Sequence, residues 1–108
     1  MKSTVALAIM GDYGMDDRTI HIHPNDGFDL GLMSTEYTVQ IYVGTDALMR
    51  EVSDSEYVYG KLHLKNSVRH GYMELGLRAA NKLGSSRMAK VFYEPGDRFG
   101  KVRVAPAS

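Results

Sequence analysis

NSVRHGYMELGLRAANKLG, residues 66–84, is the stretch on which the fold turns. At a period of 3.6, Val68, Tyr72, Leu75, Ala79 and Leu83 line up as one apolar stripe. Asn66 or Ser67 offers an N-terminal cap, and Gly84 takes the usual position just past a helix end. The spacing predicts one long helix over residues 67–83. Gly71 and Gly76 inside it each cost about 1 kcal/mol relative to alanine, which close packing against a sheet would explain.

The flanking segments read mostly as strands. Thr4–Met10 is apolar on both alternating faces, as a buried strand is, and its run stops at Gly11–Asp12 without the cleavage site of a leader peptide. GDYGMDD (11–17) is turn chemistry. Arg18–His23 alternates, with Ile20 and Ile22 against Thr19, His21 and His23, and Pro24-Asn25-Asp26-Gly27 ends it. FDLGLMS reads as loop. Tyr37–Val43 alternates again, Thr45 caps a short helix over 46–53, and Glu56–Lys65 returns to period two. Met88–Tyr93 and Lys101–Val104 form a closing hairpin around EPGDRFG, and the tail APAS frays. The expected architecture is a single domain, 1–108, of the α+β class. It is a two-layer sandwich of five or six mixed or mostly antiparallel strands, covered by one long helix and one short one.

At 108 residues the chain supports one hydrophobic core, and 44% apolar with 24% charged residues is ordinary for a folded domain. The absence of cysteine excludes disulfides, thiolate metal sites and cysteine nucleophiles, and suits a reducing cytoplasm. No stretch is long enough to span a membrane. The formal charge of zero hides an imbalance. Residues 1–59 hold three cations against ten acids, and residues 60–108 hold ten cations against three. Such asymmetry points to an anionic partner or to a homo-oligomer, unless the two halves interleave and neutralise one another within one chain.

Placement within the strands favours a binding face. Tyr57, Tyr59, Lys61, His63 and Lys65 share one side of their strand, and Val58, Gly60, Leu62 and Leu64 share the other. In the hairpin, Lys90 and Phe92 share a face, as do Lys101 and Arg103, while Arg98 and Phe99 sit at the tip. Cations neutralise phosphates and rings stack on bases, so these eleven residues are the candidate surface for single-stranded nucleic acid such as single-stranded DNA. The same pattern also arises from good strand formers and from lysines guarding a sheet edge.

Other chemistry is weakly signalled. His21 and His23, two of four histidines, would form a three-nitrogen metal site only with His63 beside them; no carboxylate–histidine spacing supports a metal, and the polar side of a strand explains the pair. The acidic loops do not fit a calcium-binding loop, and no phosphate loop or nucleophile elbow is present. An ion pair with Arg78 one helical turn away accounts for Glu74. Seven methionines read as core filler, with Met15 and Met33 in loops available to a partner.

The leading expectation is a small cytoplasmic, non-catalytic protein that binds single-stranded nucleic acid, without cofactor or metal. Its rival is a protein-interaction module, an inhibitor or adaptor acting through its charged surfaces. A third reading is an enzyme whose site lies at a homo-oligomer interface and draws on Tyr59, His63, His70 and Glu74.

Overall fold

The computed structural model describes residues 1–107 and shows a closed β-barrel of seven strands with an eighth, short strand beside it. In chain order the elements are β1 (Lys2–Ser3), β2 (Leu7–Asp12), β3 (Thr19–Ile22), α1 (Pro24–Phe28), β4 (Glu36–Val43), β5 (Val58–Leu64), β6 (Tyr72–Gly76), α2 (Leu77–Asn81), β7 (Met88–Glu94) and β8 (Gly100–Pro106). Around the barrel the order is β7, β2, β6, β3, β5, β4, β8, and β8 pairs back onto β7 to close the ring. Three neighbours are parallel (β2 with β6, β3 with β5, β4 with β8) and the others antiparallel.

This overturns the α+β sandwich, and residues 66–84 are where the reading fails. They fold as a turn, then β6, then the five-residue α2. The burial of β6 follows period two: Met73 and Leu75 are fully buried, Tyr72 and Glu74 half-buried. Because α2 follows at once and buries Ala79, apolar residues of two different elements happen to recur at helical spacing. The glycines mark the break. Gly71 has φ +87°, a left-handed conformation that a helix interior forbids. Gly76 packs where an added Cβ would lie 2.9 Å from the backbone oxygens of both Met15 and Asp16. The short helix expected over 46–53 is also absent: that region is a series of turns ahead of a single 3-10 turn, Asp54–Glu56, while a helical turn forms instead at α1. His23 caps α1, its Nδ1 accepting the Asn25 N–H at 3.0 Å, so the PND sequence that stops β3 starts a helical turn.

The expected strands survive with shifted ends, and the closing hairpin forms as β7 and β8. β8 includes Ala105 and Pro106 of the tail expected to fray, and Ser108 lies outside the described residues. Strand inner faces supply the core: Ile20, Ile22, Val39, Ile41, Leu62, Leu64, Met73, Leu75, Val91, Val102 and Val104, joined by Leu30, Leu32, Ala79 and Leu83 from the connecting segments.

β1 and β2 run along the same side of β7 with a break in register. Lys2 faces Tyr93 and Ser3 faces Phe92, but Leu7 faces Ala89 and Ala8 faces Met88, so the first chain carries one extra residue. Buried Thr4 bridges the slip: its N–H donates to the Val91 carbonyl (3.0 Å), its Oγ1 accepts the Val91 N–H (3.1 Å), and its hydroxyl donates to the Val5 carbonyl (2.7 Å).

Candidate functional site

Closure bends the predicted basic–aromatic face around the outer wall of β5, β4, β8 and β7. Tyr59 of β5 stands opposite Gln40, which stands opposite Lys101, which faces Glu94. In the next row Tyr42, Arg103 and Phe92 are in register. Phe99, just before β8, meets the Tyr59 ring edge-to-face with centroids 5.5 Å apart, and Arg98 lies 6.0 Å from the centre of the Phe99 ring. Tyr57 contacts Tyr42 and carries the Lys101 ammonium 5.3 Å from its centroid. Together Tyr57, Tyr59, Phe99, Arg98 and Lys101 line a groove of about 720 Å³ under the β7–β8 connection.

The structure thus brings five of the eleven candidates together. Lys61 and His63 continue along β5, and Lys65 follows its end. Arg103 lines the adjoining hollow with Glu51, Val52 and Ser53, while Lys90, paired with Ala105, and Phe92 lie on β7 and line neither.

Charge tells against a purely basic surface. Lys101 pairs with Asp54, which raises the lysine pKa, and Lys61 pairs with Glu36 at 3.3 Å. Arg103 donates to the Ala47 carbonyl at 3.1 Å. Glu51, Asp54, Glu94 and Asp97 line the groove and the hollow beside it. Behind them Arg50 clamps Glu56 (2.6 Å) and Asp46 (2.8 Å), and its hydrogen bonds hold the Glu56 carboxyl down at about 2. Lys65, Lys90 and Arg98 make no ion pair among the described residues. Glu51 and Asp54 come from the β4–β5 connection in the first half of the chain, Glu94 from the end of β7 and Asp97 from the β7–β8 loop.

The second constellation is one that the sequence signalled only weakly. Parallel pairing of β3 with β5 places His21 directly opposite His63. Glu74 of β6 faces His21 on one side, and Glu36 of β4 faces His63 on the other. The outer wall therefore carries an unbroken row, Glu74–His21–His63–Glu36, over four adjacent strands. His21 Nδ1 lies 2.9 Å from Glu74 Oε1, the imidazole centroids are 5.2 Å apart at 86°, and His63 Nδ1 lies 3.5 Å from Glu36 Oε1. Burial, with His21 as a secondary cause, pulls the His63 pKa below its ordinary value. The partner of Glu74 is thus His21 rather than Arg78. The matching patterns Ile20-His21-Ile22 and Leu62-His63-Leu64 were the available signal, since each puts one imidazole on the wall of a buried strand.

His23 belongs elsewhere. Its ring lies 5.4 Å from His70, whose Nε2 approaches Asp26 Oδ1 at 3.2 Å. Asp26 is 1% exposed; its Oδ2 accepts the Gly71 N–H at 3.0 Å, while Oδ1 is close enough to His70 for an ion pair but out of line for a hydrogen bond. Tyr59, His63, His70 and Glu74, grouped in the enzyme reading, are split between the groove, the histidine row and this Asp26 cluster. Among the described residues no group of three or more histidines, aspartates or glutamates is arranged to hold a metal ion, and no helix is long and apolar enough to cross a membrane.

No family model, curated protein or solved structure matches this chain.

Proposed function

We propose that this protein is a non-catalytic binding module that holds an extended segment of a partner protein in the groove floored by Tyr57, Tyr59 and Phe99. The observation that carries this reading is the groove's mixed charge around an exposed aromatic floor: Tyr59 is 58% exposed, and Asp54, Glu94 and Asp97 stand beside Arg98 and Lys101. Aromatic anchors supply most of the energy of protein contacts, and alternating charges select a partner and fix its register. A polyanion would meet acids at the points where it needs cations. The cysteine-free composition fits a cytoplasmic setting.

Single-stranded nucleic acid is the second reading, favoured by the edge-to-face Tyr59–Phe99 pair with Arg98 beside it, since a ring on which a base can stack and an unpaired cation suit a base and its phosphate. Selection from a random peptide library, with the Tyr59→Ala/Phe99→Ala double variant as counter-target, tests the first reading. Enriched peptides are expected to lose at least about tenfold affinity on the variant, equivalent to ~1.4 kcal/mol; equal binding to both proteins refutes the groove. An oligothymidine that binds at low salt, weakens as salt rises and is lost in the same variant transfers the groove to nucleic acid.

A further inference from the structure

We propose that His21 and His63 form a site for a divalent transition-metal ion of the imidazole-preferring class (zinc, nickel or copper) on the outer wall of the barrel.

Three observations converge on it. The rings are neighbours in register on two hydrogen-bonded strands, so the backbone of β3 and β5 fixes their separation. Their centroids are 5.2 Å apart. Two imidazoles sharing one ion through nitrogen–metal bonds of ~2.0–2.1 Å at a tetrahedral angle have centroids roughly 5 Å apart, so the resting spacing already suits a shared ion. Each ring also has a carboxylate at Nδ1: Glu74 at 2.9 Å from His21 and Glu36 at 3.5 Å from His63. By donating to Glu74, His21 keeps its proton on Nδ1 and leaves the Nε2 lone pair free, and such a carboxylate is the outer partner that metal-binding histidines characteristically have; Glu36 lies beside His63 Nδ1 without a hydrogen bond.

The surroundings are compatible with a cation. Glu74 on β6 and Glu36 on β4 face the pair from either side, and Lys61 of β5 and Lys65 just past its end flank His63, the former already held by Glu36. His21 and His63 side chains are 15% and 26% exposed, shielded yet reachable from solvent. With two protein nitrogens, the remaining coordination positions go to water or to an incoming ligand. His23 and His70 serve as internal controls. His23 Nδ1 is occupied as the acceptor of the Asn25 N–H, and neither ring touches the row.

The test is titration of the full chain with zinc chloride alone, followed by calorimetry, and with copper(II), followed by electron paramagnetic resonance. A saturable zinc site is expected. His21→Asn and His63→Asn should each weaken it at least tenfold and Glu74→Gln by about 10–100-fold, as loss of an outer carboxylate typically does. His23→Asn and His70→Asn should leave it unchanged. Should a row variant misfold by circular dichroism, the copper spectrum of the His23→Asn/His70→Asn double variant decides instead: two equatorial imidazole nitrogens support the site, and any other number overturns it. Failure of zinc and copper to bind at millimolar concentration, or loss of binding in the His23 or His70 variants but not in the row variants, also overturns it.

Discussion

Glu56 illustrates how one side chain ties a loop to pH. Its carboxylate takes two hydrogen bonds from Arg50 (2.6 and 3.0 Å) and a third from the Ser53 N–H (3.0 Å). The Arg50 bonds are the largest cause of its depressed pKa of about 2, against an ordinary value of ~4.3 when unfolded. A lowered carboxyl pKa means that the unfolded chain binds more protons in this window, so stability rises with pH there. The Glu56 contribution is fully present above about pH 4.3 and is lost as pH falls from there towards 2. Urea midpoints taken across that range should fall more gently in Glu56→Gln than in the parent protein, and parallel curves would remove Glu56 from the account. The effect should be modest, because the pair is exposed and salt screens it. At this scale the sequence was informative about faces: the alternation along 57–65 correctly separates Tyr59, Lys61 and His63 from Leu62 and Leu64. It was silent about partners. That Lys101 meets Asp54, or His21 meets Glu74, depends on strand order, and residues 47 and 53 positions apart carry no local trace of each other.

Between Asn66 and Gly84 the competition between two periods is decided by glycine. In a helix interior, Gly71→Ala and Gly76→Ala would each stabilise the protein by about 1 kcal/mol. In the barrel both should destabilise it. Gly71 has open space around it but a positive φ, which costs a side chain ~1–2 kcal/mol. At Gly76 a methyl group meets two backbone oxygens that cannot rotate away, and overpacking of that kind costs ~1–3 kcal/mol. Chemical denaturation of the two variants distinguishes these signs, and a gain in stability for either would contradict the turn–strand arrangement. The strands β3, β4, β5, β7 and β8 were legible because each alternates over at least four residues between turn signals. β6 was not, because its five residues abut α2 and the combined apolar spacing imitates a helix. The remaining helical expectation, over 46–53, rested on Thr45 as the cap; the segment forms turns instead, and the Asp46 carboxylate takes the Tyr42 hydroxyl (2.7 Å) and the Arg50 guanidinium.

Over the whole molecule, topology accounts for the charge pattern. β2, β3 and β4 come from the acidic half and alternate around the barrel with β5, β6, β7 and β8 from the basic half, except where β7 meets β8. Opposite charges are thereby brought side by side, as in Glu36–Lys61 and Asp54–Lys101, so two of the ten cations of residues 60–108 meet acids of the first half within one chain. The same topology sets the folding rate. Apart from β7–β8 and β4–β5, the ladders join distant segments, with Ser3 on Phe92 and Ile41 on Val102. Barrels dominated by non-local pairing fold in milliseconds to seconds. Refolding from urea, followed by the fluorescence of the seven tyrosines, should fall in that range; a microsecond phase carrying the full amplitude would be inconsistent with ring closure as the slow event.

Ring closure also has a consequence for synthesis on the ribosome. Within the barrel β7 and β8 are made after the other strands, yet β7 completes β2 and β8 completes β4, so both earlier strands present open edges until this hairpin emerges. At ~5–20 residues per second that interval lasts seconds. A nascent chain stalled near Gly84 would carry two unsatisfied strand edges and an uncovered inner wall, which are the features that chaperones and proteases engage. Premature termination in this stretch is therefore expected to produce a product destined for degradation rather than a smaller folded protein.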